Sequence, residues 1–428
     1  MRIAVAGAGI IGLATAVELD RRGHEVVVFD PAPASGASLA AAGMLAAVTE
    51  IAWAQDALHP LMADSAARYP DFVARLEADA GRAVGHRVTE TLSVAVDAAD
   101  RETLAQLAAL QGPSAGRVTG SRARELEPAL APAVSAAVLV ADDHQIDPRQ
   151  VTAALLELLG ERVRRERVAE VLRDAGRVSG VRLASGERVA ADVVVAAAGL
   201  ATSGIAGVPV LPLRPVWGDI LRLRVPAALR PLLTRTIRAL VHGRAVYLVP
   251  REDGTVVLGA TVREGGVAGV QAGGVLALLR DAERILPGID ECEIVEMLAR
   301  PRPGSPDAAP LLGVVEPGLV VSTGYDRHGV LLTPLAAEVG ADLVEGIPVD
   351  PARAAAVDPF RFGPLPAFAS APDAASPTVP ARDVAAPAPS ALTADPPALT
   401  ADPVPPALTA DPPAVEAAPL LLTLQEGR

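Results

Sequence analysis

Apolar positions open the chain in two different periods. Ile3-Ala4-Val5-Ala6 form a short continuous run of strand length. Residues 13–22 then carry a helical stretch, Gly23 breaks it, and Val26-Val27-Val28-Phe29 form a second run ending on Asp30. Between the first run and the helix stands Gly7-Ala8-Gly9-Ile10-Ile11-Gly12. This order predicts a βαβ unit with a G-x-G-x-x-G turn. Gly7 permits the tight turn, Gly9 lets the backbone approach a pyrophosphate, and Gly12 lets the helix pack on the strand. The helix N-terminus faces the phosphates with free N–H groups. Asp30 stands about 20 residues beyond the glycines, where an acid holds a ribose hydroxyl. On these residues alone a nicotinamide or a flavin nucleotide serves equally. Two blander readings are weaker. Arg2 with apolar residues 3–17 imitates a signal peptide, but a cleaved segment has no need of a second strand closed by an acid. A turn that binds nothing would carry three glycines at a cost in stability.

Further along, residues 36–45 read as a loop of small residues. Residues 56–80 are helical with a bend at Pro70, and 92–96 strand-like. Asp147-Pro148 reads as N-cap and first turn of a helix through Leu159. Residues 168–198 read as a meander with turns at Asp174-Ala175-Gly176 and Ser185-Gly186, ending in the buried strand Val193-Val194-Val195 and then Ala198-Gly199. Residues 221–261 continue as strands with a hairpin at Asp253-Gly254. Leu319-Val320-Val321 is another buried strand, closed by Gly324, and a helix follows Pro334. Residues 193–213 carry no charge and approach membrane-spanning length. Gly199, Gly204, Gly207, Pro209 and Pro212 make them a strand and a loop instead. From residue 355 Pro and Ala dominate, and Ala391-Leu392-Thr393-Ala394-Asp395-Pro396-Pro397 recurs from Ala398 and Ala407. Such a segment is expected to be disordered and partly polyproline II.

Composition narrows the function. The 428 residues suffice for two domains. Aromatic residues are only 2%, so the core is built from Ala, Val and Leu. All 38 basic residues are Arg, and the net charge is −13. An acidic chain without a basic stripe excludes nucleic-acid and anionic-membrane partners. The single cysteine, Cys292, excludes an internal disulfide framework and fits a reducing cytoplasm. Asp142, Asp143, His144 and Asp147 invite a metal reading. Asp147 is explained as a helix cap and no second ligand cluster follows, so no metal is expected. No G-x-S-x-G elbow is present. Three residues of the second half have the right chemistry for a small acid. Tyr247 sits in a strand, Arg302 in Arg300-Pro301-Arg302-Pro303-Gly304, and Arg327 just after a buried strand. An Arg on a proline-braced turn is pre-oriented to hold a carboxylate bidentately.

Seven motifs, in order, extend from Met1 to about Gly346. They are the glycine turn; Ala40-Ala41-Ala42-Gly43-Met44-Leu45; Asp142-Asp143 with Asp147-Pro148; residues 193–199; Tyr247-Leu248-Val249-Pro250-Arg251 with Gly259-Ala260-Thr261; Arg302-Pro303-Gly304; and residues 324–334. In these the chain resembles the glycine oxidases of thiamine biosynthesis, within the D-amino acid oxidase family of flavoproteins.

The resemblance implies an α/β + β fold. A discontinuous Rossmann-like FAD-binding domain would take residues 1–80, 142–213 and 303–354. An antiparallel-sheet substrate domain would take 81–141 and 214–302, and a disordered tail 355–428. It implies FAD on Gly7, Gly9, Ile10, Ile11 and Gly12 at the pyrophosphate and Asp30 at the adenosine ribose. Ser38 would also bind the cofactor, Ala41, Ala42, Gly43 and Met44 would line the isoalloxazine, Val168 the adenine side, and Gly199 would permit close approach. Arg327, His328 and Gly329 would border the pyrimidine edge. Arg302 would clamp the substrate carboxylate with help from the Tyr247 hydroxyl, beside Met44 and Arg327.

Related sarcosine oxidases bind flavin through a cysteine near the Arg302 region. Cys292 is misplaced for that role, so FAD would be non-covalent. The implied reaction converts glycine, O2 and water to glyoxylate, ammonia and peroxide. The imine alternatively passes to a thiazole synthase, and family members are homo-oligomers. Trp217, Val262 and Tyr325-Asp326 depart from the usual residues, which leaves sarcosine or small D-amino acids as alternative substrates; a dehydrogenase passing electrons to a quinone is a separate alternative. A non-catalytic flavin-binding scaffold with a partner-binding tail is a further one.

Overall fold

The structure is a computed structural model that describes residues 1–265 and 268–366; the expected disorder and repeats of 367–428 lie outside the described residues. Its first sheet has six strands, in the order Leu311–Glu316, Leu319–Thr323, Val193–Ala196, Arg2–Ala6, Glu25–Phe29 and Val163–Arg164. All neighbours are parallel except the hairpin of Leu311–Glu316 with Leu319–Thr323. Strand alternation gives this sheet two apolar faces. Ile3, Val5, Val28, Val195 and Val320 turn toward the helices Ile10–Arg21, Leu58–Ala80, Pro148–Leu159 and Thr333–Glu345. Ala4, Ala6, Phe29, Val194 and Val321 turn toward the meander Val168–Asp174, Arg177–Leu183 and Arg188–Ala190. The first helix starts at Ile10, directly on the glycine turn, earlier than its apolar period suggests. Asp147 caps its helix as expected, accepting the Arg149 N–H at 2.9 Å.

The second sheet has nine strands. Arg263–Glu264, Arg214–Arg224, Thr255–Gly259, Arg244–Pro250, Thr236–Val241, Thr91–Ala95, Ala136–Val140 and Gly116–Thr119 follow one another, and Glu293–Gly304 pairs with Arg214–Arg224. One face is an apolar core. Leu92, Val94, Leu221, Leu223, Ile237, Val246, Leu248, Val256 and Leu258 pack there with the helix Ala272–Ile285. The intervening positions, which point the other way, include Gly218, Arg222, Arg238, Tyr247, Gly259 and Arg302. One strand period thus separates the residues that hold the sheet from the residues available for chemistry.

The chain beyond residue 354 is not all tail. Pro351–Val357 is a helix capped by Asp350, Val357 is buried in the main core, and the Arg361 guanidinium holds Asp307 and the carbonyls of Ala309 and Pro310. The boundary at 355 therefore cuts an element whose burial a composition reading does not register. A chain ending at residue 354 is expected to be less stable than one ending at 366 by on the order of 3 kcal/mol. Equal urea midpoints for the two would contradict the packing described.

Candidate active site

The glycine turn is built by close approach. Gly7 has φ +112°, and a methyl group there would overlap the Ala197 carbonyl at the end of the neighbouring strand. A methyl group on Gly12 would overlap the Gly7 carbonyl, so the helix comes down on the turn itself. Gly9 differs: a Cβ there would meet only Ser38 Oγ at 3.5 Å, leaving space at the head of the helix. Ile10 N–H donates to Ser38 Oγ at 3.0 Å, and Ile11 follows it in the first turn. The Asp30 carboxylate accepts the N–H groups of Ala8 and Ala32, each at 2.8 Å, which fixes it beside the turn. Nearby, Gly199 has φ +58° and opens a 3-10 turn in which Thr202 Oγ1 is buried with no partner among the described residues. Thr323 Oγ1 donates to the Gly199 carbonyl at 3.0 Å. An open cradle, an oriented acid and an orphaned buried hydroxyl fit a dinucleotide. Val168 is buried next to Phe29 in the core under the meander, so its side chain packs against protein.

The segment Ala40–Met44 lies across the polar face of the nine-stranded sheet. Ala42, with Ala40 and Met44 partly buried, packs there on Ile220, Val249, Val257, Leu298 and Tyr247. Gly43 has φ +74°, and any Cβ would overlap the Ile146 carbonyl. Arg251 clamps this arrangement. Its buried guanidinium donates to the carbonyls of Ala42 and Ile146 and to Gln145 Oε1, the latter two at 2.9 and 3.1 Å. Burial pushes its pKa down to about 10. Arg149 adds a second tie, donating to the Leu39 carbonyl at 3.1 Å and to Glu296, which also pairs with Arg222.

On the open part of that face the register sets the geometry. Arg302 pairs with Val216, and a methyl group on Gly218 would overlap its guanidinium. Tyr247 pairs with Gly259, and a methyl group there would overlap its hydroxyl. Two glycines thus let Arg302 and Tyr247 lie along the sheet. The Arg302 guanidinium makes no ion pair or hydrogen bond among the described residues. Burial pushes the Tyr247 pKa up, against the nearby Arg302. Pro303 carbonyl accepts the Asp326 N–H at 2.8 Å, which joins the Arg302 strand to the Arg327 turn.

Arg327 is brought to the same region by a residue that sequence reading passed over. Glu50 is buried between Arg238, with which it is hydrogen-bonded, and Arg327 Nε at 2.9 Å. The two guanidiniums hold Glu50 well below the usual carboxylate range despite its burial. Arg238 pairs with Tyr247 across neighbouring strands, and its Nη1 lies 3.8 Å from Met44 Sδ. His328 is buried behind Arg327, whose Nε is 3.3 Å from its Nε2, and Gly329 packs on Tyr325. Burial, more than the opposing Glu50 charge, pushes His328 down to about 4. The signals for Arg238 and Arg251 were polar residues at alternate positions of otherwise apolar strands. Glu50 has no such signal, because only tertiary contacts bring it to Arg238.

The candidate metal residues do other work. Asp143 is buried and accepts the N–H groups of Val48 and Thr49 and the Thr49 hydroxyl, which braces the segment leading to Glu50. His144 stacks on His86, and Asp147 is the helix cap. Asp97, Asp100 and His242 also lie together, but Asp97 caps a helix and Asp100 accepts the N–H groups of His242 and Gly243.

This is the architecture of a dinucleotide-dependent enzyme. The family of FAD dependent oxidoreductases designated DAO matches residues 2–343, and the chain belongs to that family; it is an FAD-dependent oxidoreductase. It is 33% identical over 80% of its length to a glycine oxidase of Geobacillus kaustophilus, covering 92% of that protein. It is 30% identical over 82% of its length to the bifunctional protein ThiO/ThiG of Nostoc sp., of which it spans about half, 53%. The crystal structure of glycine oxidase from Geobacillus kaustophilus superposes with a TM-score of 0.76 at 31% identity, covering 83% of this chain and 98% of that one. Among the described residues no helix is long and apolar enough to cross a membrane.

Two outcomes follow from the buried groups. Arg251→Ala leaves two buried carbonyls and the Gln145 amide oxygen without their donor, and is expected to cost on the order of 3 kcal/mol in chemical denaturation. His328 binds its proton more weakly folded than unfolded, so its share of stability is complete above pH 6.5 and is lost as pH falls toward 4. Between pH 7 and pH 5 the protein should therefore lose about 2 kcal/mol more than His328→Asn does. Parallel pH profiles for the two proteins would contradict this.

Proposed function

We propose that the protein oxidises glycine, releasing its imine or, after hydrolysis, glyoxylate and ammonia, with O2 as the electron acceptor and peroxide as its product. The observation that carries this reading is the unpaired Arg302 guanidinium, held over Gly218 on the same sheet face as the Tyr247 hydroxyl and beneath the segment Ala40–Met44. A planar fork of donors that makes no ion pair or hydrogen bond among the described residues fits a substrate carboxylate. Tyr247, whose pKa burial raises, keeps its proton at neutral pH and donates to the same group. In this reading residues 1–80, 142–213 and 303–354 form the cofactor domain and 81–141 and 214–302 the substrate domain.

FAD would sit non-covalently on Gly7, Gly9, Gly12, Asp30 and Ser38. Ala41 to Met44 would lie along one side and Arg327, His328 and Gly329 along the other. Val168 would be near the adenine and Gly199 at a close approach. When bound it supplies a two-electron acceptor. The chain's own residues orient the substrate by its carboxylate and exclude water with Ala42, Ile220, Val249 and Val257. Neither Glu50, locked between two arginines, nor His328, buried and neutral, is placed as a general base. The substrate amine therefore loses its proton to solvent before reaction. Delivery of the imine to a thiazole synthase is supported by the fused ThiO/ThiG relative.

Purified protein should be yellow and should bleach anaerobically with glycine, faster than with sarcosine or small D-amino acids. A flavin-loaded protein that none of these bleaches removes the oxidase reading and favours a binding scaffold. Arg302→Ala is expected to lower kcat/KM for glycine at least about 100-fold and Tyr247→Phe about 10-fold. Unchanged values would remove either residue from the site.

A further inference from the structure

We propose that Glu50 is a built-in carboxylate filling an anion site between Arg238 and Arg327, and that it makes the pocket refuse substrates with a second acidic group. The proposal rests on the amino-acid oxidase reading of the same pocket and specifies its selectivity.

Three features carry it. First, the arginines belong to separate parts of the chain: Arg238 to a strand of the nine-stranded sheet, Arg327 to the turn after Leu319–Thr323. Without Glu50, two cations would face each other in a partly buried space. Arginine pairs of this kind recognise carboxylates. Second, the fit of Glu50 is incomplete. Its Oε2 lies 2.9 Å from Arg327 Nε but makes no directed hydrogen bond, and the atom is buried without another partner among the described residues. Arg327 keeps 43% of its side-chain surface exposed. Third, Glu50 is placed to act as an obstacle. The N–H groups of Val48 and Thr49 are fixed on the buried Asp143, so the Glu50 backbone is held in place. Arg238 sits directly across from Tyr247 and touches Met44, which puts the triad at the wall of the proposed substrate pocket.

A substrate that places its α-carboxylate on Arg302 and a second carboxylate toward this wall meets Glu50, and like charges at close range repel. A monocarboxylic amino acid avoids that contact. Removal of the Glu50 charge exposes both guanidiniums and should invert the preference.

The test uses non-reacting acids on the FAD-loaded full chain. Affinities for acetate, malonate and succinate are read from the shift in melting temperature and from the perturbed flavin absorbance. Glu50→Gln is expected to raise the malonate-to-acetate or succinate-to-acetate affinity ratio at least tenfold. Glu50→Gln with Arg238→Gln should cancel that gain. Glu50→Asp keeps the charge, and so the fold, while retracting it by one methylene; it should raise the ratio about threefold. Ratios within twofold of the unmodified protein in both single variants overturn the proposal, as does a gain that survives loss of Arg238. Glycine bleaching is recorded on the same preparations. A charge-dependent ratio without bleaching removes the oxidase reading alone, and bleaching with unmoved ratios removes only the role of Glu50.

Discussion

A single buried cation joins the parts on which the rest of this structure depends. Arg251, directly after a strand of the nine-stranded sheet, donates to the carbonyls of Ala42, in the segment that follows Glu25–Phe29 of the six-stranded sheet, and of Ile146, at the entry to the helix Pro148–Leu159. Those carbonyls have no other donor among the described residues, and burying them unpaired is costly. A guanidinium has enough fixed donors to serve both while reaching Gln145. The segment Ala40–Met44 is therefore pinned on the sheet face that carries Tyr247 and Arg302. The glycine at 43 is required by the same contact, because the chain passes within overlap distance of the Ile146 carbonyl.

Charge is distributed around that clamp in repeated units of two arginines and one glutamate. Arg149–Glu296–Arg222 secures the near side of the loop, and Arg238–Glu50–Arg327 the far side. Each unit carries a net positive charge, and the Arg302 guanidinium adds another without a partner among the described residues. An overall acidic chain thus concentrates positive charge on one sheet face. Buried ion triads do little for stability compared with apolar packing. Their value here is directional: they fix arginine geometry on one face of the sheet, as the proposed orientation of a small anion would require.

Much of this was legible from residue order. The β-branched run, the three glycines and Asp30 predict the βαβ unit because each meets a local requirement: a left-handed φ at Gly7, a close approach at Gly12, a helix start at Ile10. Asp147-Pro148 is legible for the same reason, since a cap acts within one turn. The helix Pro351–Val357 was missed because proline and alanine counts carry no information about burial, and Val357 is held by a distant core. Glu50 was missed because its two partners lie 188 residues away and, through Arg327, further still.

Local chemistry in the chain was enough to predict the nucleotide turn, the strand periods and the two side chains suited to a carboxylate, because turns, caps and alternation act over a few residues. Family membership followed from the order of these motifs. The tertiary structure alone decided which face of the nine-stranded sheet carries Arg302 and Tyr247, since one residue of register exchanges the Leu221–Leu258 core for the Arg302–Tyr247 surface. It alone also paired Glu50 with two arginines and Arg251 with two loop carbonyls. Those contacts are long-range, and their energies come from shared burial that no single segment possesses before the sheets are assembled.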